Sequence, residues 1–157
     1  MCIEMSDIVL VTGGFDPVHS GHITYLQEAS RLGKKLVVGL NSDEWLIRKK
    51  GKFFLPFEER KSVLDSIRYV DEVMSFNDDD DTANNAIYKL IKQTNIKVIF
   101  ANGGDRTDKN IPEYKVYGNT PWVQFVFGVG GSDKKNSSSK ILADWQNNCV
   151  QTKRNVL

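Results

Sequence analysis

The feature that most constrains this chain is an alternation. Short, nearly unbroken apolar runs rich in β-branched residues alternate with longer segments whose apolar residues recur at helical spacing. Residues 8–12, 36–40, 70–76, 98–101 and 123–129 are the short runs. A strand open to water on one face would alternate apolar with polar residues, so unbroken runs predict strands covered on both faces. Residues 21–32 carry Ile23, Leu26, Ala29 and Leu32 on one helical stripe. Residues 43–49 follow Ser42, a good N-cap, and residues 57–67 open on Pro56 with Glu58 and Glu59 in the first turn. Residues 82–93 place Ala83, Ala86, Ile87, Leu90 and Ile91 on one face, and residues 138–145 read as a last helix. Strand after helix after strand predicts an α/β fold: a Rossmann-like, doubly wound parallel sheet of about five strands with helices on both faces.

The 157 residues, 40% hydrophobic and 26% charged, suit one domain with a real core. We expect that domain over residues 1–150, with 151–157 as a polar tail. No apolar run approaches the roughly 20 residues of a membrane helix, and the N-terminus lacks a basic lead-in, so neither membrane nor leader is expected. A formal charge of +1 gives no global field to attract nucleic acid or an acidic membrane. Cys2 and Cys149 lack metal-ligand spacing and fit a reduced, cytoplasmic protein. Residues 49–55 turn from basic to aromatic around a glycine and read as a mobile loop, and the acidic run 77–81 reads as an exposed loop before a helix.

The chemistry concentrates after the first strand. Ligands of doubly wound sheets bind beyond the carboxyl ends of the strands. There stand Gly13, Gly14, Phe15, Asp16, Pro17, Val18, His19, Ser20, Gly21 and His22. The paired glycines let backbone N–H groups approach a ligand, and Gly21 falls at a helix start, where unpaired N–H groups attract phosphate. His19 and His22, the only histidines of the chain, are spaced to point the same way. Two imidazoles beside backbone amides suit the charge that develops in phosphoryl transfer.

This segment resembles the HxGH signature of the cytidylyltransferase-like nucleotidyltransferase superfamily. The likeness extends along the chain. The stretches Tyr25-Leu26 to Leu32-Gly33 and Leu36 to Asp43 are similar to the heptose 1-phosphate adenylyltransferase domain and to glycerol-3-phosphate cytidylyltransferase. So are Glu59-Arg60-Lys61 and Ile67 to Val73. Asn102-Gly103-Gly104-Asp105 resembles the family's Lys-Gly-Gly-Asp turn, and Ser137-Ser138-Ser139-Lys140-Ile141 its Ser-Thr-Thr-Lys-Ile motif.

The resemblance implies an enzyme that joins the nucleotidyl group of a nucleoside triphosphate, ATP favoured and CTP second, to a small phosphorylated acceptor such as a heptose 1-phosphate. A glycerol-3-phosphate cytidylyltransferase and a nucleotide-binding regulator without turnover are the alternatives. Mg²⁺ would enter mainly on the triphosphate, and related enzymes are often homodimers. His19 and His22, with Lys49 and Lys50, would stabilise the transition state. Gly13, Gly14, Phe15, Asp16, Gly21, Asn102, Gly104, Asp105, Ser137, Ser138 and Ser139 would bind the nucleotide. Arg60, Arg68 and Arg106 would bind the acceptor. Asp16 has three readings: orienting its loop, helping to position magnesium, or closing a turn through its own side chain.

The pattern departs from the family in three places. Pro17-Val18 resembles the nicotinamide mononucleotide and pantetheine-phosphate adenylyltransferases instead. Ser132 to Asn136 replaces the Arg-Thr-Glu-Gly-Ile of glycerol-3-phosphate enzymes, leaving Lys134 or Lys135 to stand for the missing Arg. Arg106 follows Asp105 where relatives often carry an aromatic residue.

Overall fold

A computed structural model of the protein describes residues 7–131 and 137–155. Five strands form one sheet: β1 (Ile8–Gly13), β2 (Lys35–Leu40), β3 (Glu72–Ser75), β4 (Val98–Gly103) and β5 (Val123–Val129). Their order is β3-β2-β1-β4-β5, and every pairing is parallel. Six helices connect or follow them: α1 (Ser20–Ser30), α2 (Asp43–Lys50), α3 (Phe57–Asp65), α4 (Asn84–Thr94), α5 (Glu113–Tyr117) and α6 (Ser138–Asn155).

The strand residues divide between the two faces as period two requires. Val9, Val11, Leu36, Val38, Ile99 and Ala101 pack with Leu26 and Ala29 of α1 and Leu64 of α3. Ile8, Leu10, Val37 and Phe100 pack with Ala86, Ile87 and Leu90 of α4. Both faces are therefore dry, which is why the central strands read as unbroken apolar runs. The chain leaves β1 toward β2 and β3 on one side, then returns to lay β4 on the other. That reversal opens a crevice at the carboxyl ends of β1 and β4.

Several boundaries differ from those expected. β3 starts at Glu72 rather than residue 70, and α4 starts at Asn84 rather than residue 82. β4 runs on to Gly103, and α6 runs on to Asn155, into the stretch read as a polar tail. The short α5 was not foreseen; its five residues give too few turns for a period to show. The acidic run is not wholly exposed. Asp78 is 2% exposed, and its carboxylate accepts from Asn41 Nδ2, Ser42 N and Ser42 Oγ at 3.0, 2.8 and 2.7 Å. Nor does the basic-aromatic stretch hang free: Lys49 and Lys50 end α2, and the amides of Phe54 and Leu55 are held by Asp16.

Candidate active site

The crevice encloses about 750 Å³. Its floor is the end of β1, Thr12 and Gly13, and one side is α1 with His19, Gly21, His22, Thr24, Tyr25 and Glu28. The opposite side is the end of β4 with Asn102, Gly103, Gly104 and Arg106, beside Val129, Gly130 and Gly131 after β5. Lys50 reaches in from the end of α2, and Ser137, Ser138 and Ser139 close it at the start of α6.

The two histidines are fixed by the helix they begin. His19 is the N-cap of α1, with extended backbone, and its Nδ1 accepts the Gly21 amide at 3.1 Å. His22 reciprocates: its Nδ1 accepts the His19 amide at 3.3 Å. This is a capping box made from imidazoles instead of hydroxyl and carboxylate. With both Nδ1 atoms accepting, the proton of each neutral ring sits on Nε2, a donor left for a ligand. Burial, then the neighbouring His19 and Lys50, push the His22 pKa down from 6.5 to about 3. Burial and Lys50 lower that of His19 as well. Both rings are thus neutral donors at neutral pH. Phe15 backs them, its ring centroid 4.8 Å from that of His22.

The other walls are also held by local bonding. Ser137 Oγ accepts the Lys140 amide at 3.1 Å and so caps α6, whose N-terminal end faces the crevice. Ser138 Oγ donates to the Pro17 carbonyl at 2.9 Å, tying α6 to the phosphate loop. The Tyr25 hydroxyl donates to the Ala101 carbonyl, and burial raises its pKa. Glu28 Oε2 accepts the Gly130 amide at 2.6 Å. Gly130 lies at φ 86, and a Cβ there would come within 3.1 Å of the Tyr25 backbone, so the β5 exit is shaped for glycine.

Six expected site residues are absent from the crevice lining, several of them bonded within the protein. Asp16 is 3% exposed, and its two carboxylate oxygens accept from Phe54 N and Leu55 N at 2.6 and 2.7 Å, the geometry of the loop-orienting reading. Gly14 turns away from the crevice: a Cβ there would meet Leu46 Cδ2 at 2.8 Å, and its carbonyl accepts from Arg60. Arg60 is fully buried and spends its guanidinium on Leu55 O, Gly14 O, Asn41 O and Asp43 Oδ1 at 2.8, 3.0, 2.8 and 2.6 Å. Four of its five N–H donors are spent inside the protein, and the side chain is fully buried off the lining of the crevice. Arg68 is exposed beside the Tyr69 ring, just before β3 begins, and so sits at the sheet edge opposite the crevice. Lys49 lies over the Trp45 ring at 4.6 Å, near enough to Arg106 and Lys50 for burial and then their charges to lower its pKa, whereas Lys50 lines the crevice. Asp105 follows Gly104 outward and is exposed. Lys134 and Lys135 lie outside the described residues.

Tyr25 and Glu28 are among the lining residues that motif reading missed. Tyr25 carried a signal, falling three positions after His22 along α1.

Among the described residues no cluster of His, Cys, Asp and Glu could hold a metal ion, and no helix could cross a membrane. The fold and crevice define a domain of the nucleotidyltransferase class. The chain belongs to the cytidylyltransferase-like family, whose pattern matches residues 10–144. It is 46% identical over 66 residues to glycerol-3-phosphate cytidylyltransferase of Bacillus subtilis (strain 168), a match covering 42% of this chain and 51% of the relative. It is 35% identical over 142 residues to the bifunctional protein HldE of Enterobacter sp. (strain 638), covering 88% of this chain and 28% of the relative. The chain thus spans about half and just over a quarter of these relatives' lengths. A lipopolysaccharide core biosynthesis protein from Thermoplasma volcanium GSS1 superposes with a TM-score of 0.62 at 26% identity, over 81% of this chain and 98% of that one.

Proposed function

We propose that this protein transfers a nucleotidyl group from a nucleoside triphosphate to the phosphate of a small acceptor, with ATP as donor and a sugar 1-phosphate such as a heptose phosphate as acceptor. One observation carries the reading: the crevice gathers two imidazole donors, Lys50, Arg106 and the start of α6 around a single void. That set suits a polyanion. A phosphate oxygen of the acceptor attacks the α-phosphorus, the bond to the bridging oxygen of the β-phosphate breaks, and pyrophosphate leaves with that electron pair. No covalent enzyme intermediate is required, because the residues supply placement and charge stabilisation. His19 and His22 donate through Nε2–H to phosphoryl oxygens, and Lys50 balances the growing charge. Magnesium, carried on the triphosphate, would neutralise its β and γ oxygens. With Asp16 occupied by backbone amides, Glu28 is the carboxylate of the crevice nearest that role, and one of its oxygens already holds Gly130.

The match over 88% of this chain to HldE supports the sugar-phosphate branch. The shorter but stronger match to glycerol-3-phosphate cytidylyltransferase supports CTP and glycerol 3-phosphate as the second reading. A cytoplasmic location belongs to the same proposal. Pyrophosphate release, measured with ATP and CTP across a panel of phosphorylated acceptors, separates the two. Nucleotide binding without turnover on any pair would instead make the protein a regulator.

A further inference from the structure

Two of the most completely buried charged side chains, Asp16 and Arg60, touch no part of the crevice, yet both reach the segment that carries Lys50. Lys50 is the last residue of α2 and makes no ion pair among the described residues. Its backbone is held from two directions. At the start of α2, Ser42 caps Trp45 N at 3.1 Å, Asp78 grips Ser42, and Arg60 Nη2 binds Asp43. At the end, Gly51 adopts φ 85 and returns its amide to the Ile47 carbonyl at 2.8 Å. Only Lys52 and Phe53, both exposed, separate that turn from Phe54 and Leu55, whose amides end on the Asp16 carboxylate. Arg60 Nε then takes the Leu55 carbonyl.

We propose that Asp16 is a positioning residue for Lys50: by clamping Phe54 and Leu55 to the phosphate loop, it sets where the Lys50 ammonium stands over the triphosphate. The inference rests on the reading of the crevice as a triphosphate site. Asp16 is well suited to the task. It lies between Phe15, which lines the crevice, and Pro17, whose carbonyl binds α6 through Ser138. One carboxylate therefore references the lysine to the same loop that receives the phosphates. Short, charge-assisted bonds to two amides in a dry setting are about twice as strong as neutral ones, so the clamp is stiff. The segment it fixes holds no other bond across to the phosphate loop except those of Arg60.

A residue that acts through Lys50 must lose its effect when Lys50 is gone; a residue that only supports the fold must not. The test is calorimetric titration with inorganic triphosphate and magnesium, on the unaltered protein, Asp16→Asn, Lys50→Ala and the double variant. Each single change should weaken triphosphate binding about tenfold, and the double variant should bind within about twofold of Lys50→Ala alone. Losses that multiply across the double variant would overturn the proposal. If Asp16→Asn does not fold, two glycines inserted between Lys52 and Phe53 leave both Asp16 bonds intact while freeing Lys50 from them. That insertion should cost the same factor, and unchanged affinity would overturn the clamp. Absence of triphosphate binding in the unaltered protein would remove the phosphate reading itself, before any variant is made.

Discussion

The imidazole rings of His19 and His22 stack with centroids 3.8 Å apart and planes 25° apart, each ring capping the backbone of the other's turn. The pairing fixes both Nε2 donors on one side of the crevice before any ligand arrives. Removing one donor to a developing oxyanion costs about 100-fold or more in turnover. His22→Ala should show that loss in pyrophosphate release. His19→Asn should show it too, while keeping a side-chain acceptor for the Gly21 amide and hence the helix start. Near-normal turnover in both variants would remove the histidines from the mechanism.

The depressed histidine pKa values have a consequence for stability. His22 titrates at 6.5 when unfolded and at about 3 when folded, so the folded state prefers the neutral ring. Its contribution is fully present above pH 6.5 and is lost as pH falls toward about 3. His19 acts in the same direction. The midpoint of thermal unfolding should therefore drop between about pH 7 and about pH 5, before most carboxylates titrate. His22→Gln should flatten that slope; an equal slope in the variant would show that the ring is not the source.

Arg60 and Arg68 separate structure from function. Arg60 sits at zero exposure with four polar partners, so Arg60→Ala leaves Asp43 unpaired and three carbonyls without donors. Breaking such a buried pair costs about 3–5 kcal/mol. Arg60→Lys should recover little, since an ammonium cannot span the same fork. Arg68→Ala, on the exposed far side, should change stability by about 0.5 kcal/mol or less and leave both Michaelis constants alone. Urea unfolding and steady-state kinetics on the three variants check both statements.

Arg106 lines the crevice where relatives often carry an aromatic residue. Arg106→Ala should raise the Michaelis constant of the acceptor more than that of the nucleotide. The reverse ratio would place Arg106 against the nucleotide.

The fold was readable because its cause is local and repeated. Strands covered on both faces leave unbroken apolar runs, as in Leu36 to Leu40 and Val98 to Ala101, and amphipathic helices leave their stripes. His19, His22 and Gly21 were readable for a related reason: the histidine spacing and the helix start lie within one short segment. The bonding of Arg60 and Asp16 was not readable, because a charged residue near a motif looks alike in sequence whether it faces a ligand or is held by buried carbonyls and amides. Only the approach of Leu55 to Asp16 and of Gly14 to Arg60, each pair distant along the chain, tells the two apart. Glu28 was missed because its partner, Gly130, stands 102 residues further along the chain.

The strand order also governs when the protein can exist. β1 is the central strand, paired on one side with β2 soon after it and on the other with β4, Ile8 meeting Val98. During synthesis the phosphate loop precedes β4, and one edge of β1 stays bare until β4 leaves the ribosome. The crevice closes later still, with Ser139. Such distant pairing slows folding and leaves an adhesive strand edge in the growing chain. The histidines are made well before the strand that completes their crevice.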